Sequence, residues 1–188
     1  MTAFDEDDRT YGLLFDVRRS VRYHMRRRRF YEGWNTVTVA LAVIGGSSAA
    51  GAFFSKLDDA TWVPAVVAAV VAVVGAIDMA VGTARHASHH GDLARQFIWL
   101  EARFSHGRAL SDDEHESLTT DRLRIEATEP PVLRLLDMLC YFETMRALGD
   151  PKPHRRVPRW RLFLAHILSQ TEYALVLAKE VNAAHERT

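Results

Sequence analysis

The chain of 188 residues is long enough for one domain, or for a small domain with an appendage. Its 24 Lys and Arg balance 24 Asp and Glu, so no net field draws the whole molecule to nucleic acid or to an anionic surface. The single cysteine, Cys140, excludes an intramolecular disulfide and fits a reducing compartment.

The charge is unevenly spread. Residues 1–8 are acidic, residues 18–29 form a basic block, and the middle of the chain is nearly neutral. No secretory signal pattern is expected, because the first apolar run is too long for an h-region and lacks an A-x-A cleavage site. In "YGLLFDVRRSVRYHMRRRRFYEGW" Leu14, Val17, Val21, His24 or Met25, and Arg28 fall on one side of a helix. Arg18, Arg22 and Arg26 form a parallel basic stripe, so an amphipathic helix is expected to lead into the apolar run.

From residue 33 to 55 there is no ionisable side chain, about 23 residues against the ~20 that a helix needs to cross a bilayer. A second run, "ATWVPAVVAAVVAVVGAI", continues through "DMAVGTA" to residue 84 with Asp78 as its only charge. Both runs are too long for buried strands, and neither has the polar face of a soluble core helix. Two spans, at about 33–55 and 60–84, joined by the short polar link "SKLDDAT", predict an antiparallel hairpin.

Arginines flank its outer ends: Arg18, Arg19, Arg22, Arg26, Arg27, Arg28 and Arg29 before it, Arg85 and Arg95 after it. The positive-inside rule then puts both termini in the cytoplasm, with the arginines fixing topology and gripping anionic headgroups. Tyr31 and Trp34 on one side, and Phe53, Phe54 and Trp62 on the other, suit aromatic interface belts. A nucleic-acid role for the basic block is not expected, since its place beside a span already accounts for it.

Small residues recur every four positions in both runs: Thr38, Ala42, Gly46 and Ala50 in the first, Ala68, Ala72, Ala76, Ala80 and Ala84 in the second. In lipid, such stripes let helix backbones approach, so the two are expected to meet each other. Asp78 lies nearly opposite the second stripe, among Val67, Val70, Val71, Val74 and Val81. An acid at that depth needs water, an arginine such as Arg29, or a second copy of the chain over it, which makes Asp78 a candidate pore or subunit-contact residue.

Beyond the second run, Leu93, Phe97, Leu100 and Phe104 follow a 4-3-4 spacing that fits either a core stripe or a coiled-coil seam. Ser111 and Glu114 match a capping box. "EPP" at 129–131 places proline in the first turn of a helix over about 132–148. A last helix is expected over about 159–184, and "RRVPRWRLF" at 155–163 reads as its start or as an arginine-tryptophan edge touching the bilayer.

Chemistry is sparse. His86 and His90 share a helical face beside His89, but nothing completes a metal site, so no metal is expected, and the group reads as pH-sensing or simply solvated. No nucleotide-binding or hydrolase motif occurs, and Cys140 among Leu139, Tyr141 and Phe142 reads as core filling. Neither an enzyme nor a cofactor is expected.

The fold class expected is all-α: a transmembrane helical hairpin with long amphipathic cytoplasmic helical extensions, divided into a two-span region at 8–109 and a C-terminal cytoplasmic region at 110–188. With its arginine-tyrosine run (Arg18, Arg22, Tyr23, Arg26, Tyr31), this layout resembles the SLATT superfamily over residues 11–104. Those proteins are bacterial two-transmembrane proteins found beside nucleotide-second-messenger and related conflict systems.

The resemblance implies an inner-membrane, homo-oligomeric, pore-forming effector of antiphage defence or stress-triggered death. It supplies no catalytic residues, and it implies a nucleotide-signal sensor or synthase encoded nearby. The chain departs from many such effectors in lacking a fused sensor. Expected partners are membrane lipids and further copies of the chain. The alternatives are a membrane-anchored scaffold that recruits partners through its cytoplasmic helices, and a phage holin-like lysis protein.

Overall fold

No proline interrupts the chain before Pro64, and residues 3–46 form one helix of 44 residues. The structure, a computed structural model, describes residues 3–46, 62–104 and 110–149. Their helices, in chain order, are α1 (Ala3–Gly46), α2 (Trp62–Val81), α3 (Thr83–Ala102), α4 (Asp112–Glu126) and α5 (Arg134–Ala147). The loop expected between two spans, the far part of the first span, and the helix expected at 159–184 with its arginine-tryptophan edge lie outside the described residues. Two compact units divide the chain: residues 1–26 with 91–188, and residues 27–90.

The first unit is built on the 4-3-4 stripe of α3. Leu93, Phe97, Leu100 and Phe104 are all buried, and the last three join Leu13, Val17, Leu110 and Leu118 in one cluster. Of the two uses open to that stripe, the chain makes it a core. Val17 and Phe97 have no exposed surface at all. Truncating a buried phenylalanine to alanine typically costs about 3–5 kcal/mol, so this cluster carries a large share of the unit's stability.

The basic stripe of α1 lies over that core and meets the chain's own acids and hydroxyls. Arg18 donates to Glu101 at 2.7 Å, Arg22 to the Thr144 hydroxyl at 3.0 Å, and Arg26 to Glu143. On the next face Arg122 bridges Asp16 at 2.6 Å and Glu126 at 2.8 Å, while Arg19 lies 3.4 Å from Asp137. These pairs are partly exposed, so each is worth roughly 1 kcal/mol or less. Their collective effect is to fix register between helices. Burial raises the Asp137 carboxyl above the usual carboxylate range, and Arg19 pulls it back.

Helix α4 starts as the sequence indicates. The Ser111 hydroxyl accepts from the Glu114 amide at 3.3 Å, and the Glu114 carboxylate accepts from the Ser111 amide at 3.0 Å. Helix α5 starts later than the prolines suggest. Its first residue is Arg134, and Pro130 and Pro131 lie before it outside any helix. Two causes combine: a residue that precedes proline is pushed out of the helical region, and the Leu133 amide donates at 3.0 Å to the Tyr23 hydroxyl of α1. The linker is clasped a second time by the fully buried His24, which stacks on Phe97 and places its own Nε2 3.0 Å from Glu129.

Cys140 fills the smaller cluster with Tyr23 and Leu136 and has no exposed surface. Burial pushes its thiol up to about 12, against the opposing pull of Arg26. In the folded protein it stays a thiol, whereas an unfolded cysteine ionises near pH ~8.5. The stabilisation linked to this group is therefore complete below about pH 8.5 and is lost as pH rises toward 12. Alkylation by a maleimide at pH 8 should be undetectable in the native protein and complete in denaturant. Rapid native labelling would show that the α1–α5 contact opens.

Candidate functional site

Residues 27–90 carry the features that bear on a membrane. Pro64 occupies the first turn of α2, where the amide it lacks would have had no helical partner. The helix then runs through valine and alanine, and its large side chains face outward: Val66, Val70, Val73, Ile77, Met79 and Val81 are exposed. The later part of α1 does the same with Val37, Val39, Leu41, Val43 and Ile44. Among the described residues one helical stretch, Ala68–Ala102, is long and apolar enough to cross a membrane, and 6% of its most apolar window is buried inside the chain.

The small-residue stripes are placed as follows. Thr38 is buried and its hydroxyl donates to the Asn35 carbonyl at 2.9 Å. Ala42, Ala68, Ala72, Ala76 and Ala80 are exposed, so within one chain these alanines do not bury one another. Gly46 ends α1, and Ala50 lies outside the described residues.

Asp78 is half-buried, and its carboxylate accepts the Thr83 hydroxyl at 2.5 Å across the junction of α2 and α3. Gly82 sits at that junction with φ +66°, and its amide donates to the Asp78 carbonyl at 2.8 Å. A left-handed residue just past the last helical position is the usual way a helix ends, and glycine adopts it without steric cost. Here α3 begins at the next residue, with its first hydroxyl satisfying the one acid of the run.

Of the basic block's later members, Arg27 is buried. Its guanidinium lies 4.6 Å from the centre of the Tyr31 ring and donates to that tyrosine's hydroxyl. Tyr31 also stacks on His86 at 5.1 Å and on His90 at 5.8 Å. Arg28 pairs with Glu32 at 2.7 Å along the helix, Arg29 is exposed, and Trp34 is half-buried. The i, i+4 spacing of His86 and His90 signals a shared face, but nothing in the sequence names Tyr31 and Arg27 as what that face meets. Among the described residues no group of three or more His, Cys, Asp or Glu is placed to hold a metal ion.

The first unit separately holds an open groove of about 1000 Å³ between α3 and α4. Arg95, Arg103, Asp121 and Arg124 line it, and Trp99, 77% exposed, stands at its edge. Trp99 gives no periodic signal in the sequence, since it falls between the core positions Phe97 and Leu100. Compared with known proteins, the chain matches no family model, no curated protein and no solved structure.

An exposed apolar face is expensive in water and suited to lipid, and a charge placed on it separates the two cases. Val73→Arg should cost about 2.5–3.5 kcal/mol of membrane insertion, on scales for a charge at a span's centre. The measurement is the fraction of protein remaining in alkaline-washed membranes, which should fall sharply for Val73→Arg. A helix that merely awaited a soluble partner would instead gain solubility and leave the membrane fraction unchanged.

Proposed function

We propose that this chain is an integral protein of the bacterial inner membrane that assembles with further copies of itself and, when triggered, permeabilises the bilayer. The observation that carries the reading is the Ala68–Ala102 stretch, long and apolar enough to span, whose most apolar window is only 6% buried inside the chain. Hydrophobic surface of that extent is stable where lipid or another apolar helix covers it. The resemblance to the SLATT superfamily supplies the effector role, and the hairpin with both termini cytoplasmic belongs to the same proposal.

A second reading, a scaffold whose span is only an anchor, is favoured by the groove edged by Trp99. An exposed tryptophan between arginines is the kind of feature that a partner protein covers.

One measurement decides between them. A voltage-sensitive dye in cells expressing the protein, with its neighbouring genes supplied, should report depolarisation. Silence under those conditions sinks the pore and leaves the anchor.

For topology, Asp58→Cys should react with an impermeant thiol reagent from outside intact cells. Leu123→Cys, at an exposed position of α4, should react only after permeabilisation. The native Cys140 is buried and cannot report sidedness. Reversed labelling at 58 and 123 would overturn the orientation.

A further inference from the structure

We propose that Gly82 is a hinge between α2 and α3, and that the hydrogen bond from Thr83 to Asp78 is the latch that holds it bent. This goes beyond the permeabilising role and stands whether or not a pore forms.

The argument begins with backbone geometry. A helix continues straight only if every residue keeps right-handed dihedrals, and Gly82 does not, with φ +66°. The hydrogen bonds on either side survive: Gly82 donates to the Asp78 carbonyl at 2.8 Å, and His86 donates to the Gly82 carbonyl at 3.1 Å. No residues separate the two helices other than Gly82 itself. The right-handed path is therefore interrupted at a single residue, with a backbone bond kept on either side of it.

The two arms differ in how they are held. The start of α3 is fixed to α1 through Tyr31, which stacks on His86 and His90, and Thr83, Ala87 and His90 are buried. By contrast, α2 presents Val70, Ala72, Val73, Ala76, Ile77, Met79 and Ala80 outward. The arm free to pivot is thus α2, the apolar one.

What fixes its angle is a polar bond in an apolar setting. The Thr83 hydroxyl is buried with its residue and reaches the Asp78 carboxylate at 2.5 Å, bridging the hinge from one arm to the other. A charge-assisted hydrogen bond is strong where water is scarce, and it can form only while the two arms keep this angle. Straightening the helix moves the Thr83 side chain away from Asp78. Broken, the bond would leave an acid seeking a new partner, such as water in a pore or a neighbouring subunit. The pair therefore gives this segment two distinct states.

Spin labels at Ala72→Cys and Ser88→Cys, in a Cys140→Ala background, read the angle by pulsed dipolar spectroscopy. A straight helix would place the two labelled backbones about 24 Å apart, at about 1.5 Å per residue. The protein is measured in detergent micelles and in nanodiscs of mixed phosphatidylethanolamine and phosphatidylglycerol. Parent protein should give a distance shorter than the straight helix. Thr83→Val, which keeps the shape and removes the hydroxyl, should broaden the distribution toward the straight value, and Thr83→Ser should restore it.

Asp78→Val should match Thr83→Val, and the double variant should go no further, because both remove the same bond. Gly82→Ala should shift the distance fully. Apart from its chain neighbours, no heavy atom of the described residues lies within 4 Å of the position its Cβ would take, so the left-handed backbone is what opposes the substitution. A straight parent, or an unchanged distance in Gly82→Ala, overturns the hinge. A Thr83→Val distribution identical to the parent overturns the latch. None of these outcomes bears on permeabilisation, which the dye measurement decides by itself.

Discussion

An apolar helix surface left exposed among the described residues constrains the rest of this protein. Burying one large aliphatic side chain is worth roughly 1.5–3 kcal/mol, and α2 and the end of α1 leave a row of them outside. A contiguous row of this kind gains that stabilisation only where lipid or another apolar surface covers it. The surface is tolerable if something other than water meets it. Every polar group on the same helices must then be satisfied locally, because lipid offers no partners. Thr36, Thr38 and Thr83 follow that rule. The first two return their hydroxyls to helix carbonyls of Glu32 and Asn35, and the third supplies the one acid of α2.

The arginines divide by what surrounds them rather than by sequence. Read along the chain, seven of them before an apolar run make a uniform basic block suited to headgroups. In space, Arg18, Arg22 and Arg26 reach Glu101, Thr144 and Glu143 of the folded first unit. Arg27 instead lies on the Tyr31 ring. Guanidinium suits both settings, since it pairs with carboxylates through a planar fork and stacks on aromatic faces while keeping its charge. A run of lysines would satisfy the positive-inside rule equally well but would serve these contacts poorly. Side-chain choice in this block therefore serves the contacts of the folded chain.

The sequence was most legible where a single local rule governs. The capping box of α4, the α3 stripe and the burial of Cys140 each follow from spacing or immediate neighbours. It was least legible where distant segments meet. Nothing within residues 1–26 announces that they share a unit with residues beyond 91, because ion pairs such as Arg18 with Glu101 are specified by three-dimensional packing. The start of α5 shows the same limit. Proline chemistry alone places the helix too early, since Tyr23, more than a hundred residues upstream, takes the Leu133 amide. Periodicity likewise marks Ala68, Ala72, Ala76 and Ala80 as a close-packing face but is silent on whether that face belongs to one chain or to several.

Asp78 joins these strands of argument. Read from the sequence, it is an uncompensated acid in an apolar run, and the natural places to look for its partner are water, an arginine or another subunit. One partner lies five residues away on the same chain, brought into reach where Gly82 interrupts the helix between them. In a straight helix, residues five apart do not share a face, since neighbours recur at three and four. The glycine and the acid–hydroxyl pair therefore imply each other. Without the left-handed residue the bond has no geometry, and without the bond the turn leaves a carboxylate to be satisfied elsewhere. Local sequence rules treat a glycine, an acid and a threonine near the end of an apolar run as three separate blemishes. Physically they form one element, the kind in which a modest energetic bias selects between two shapes.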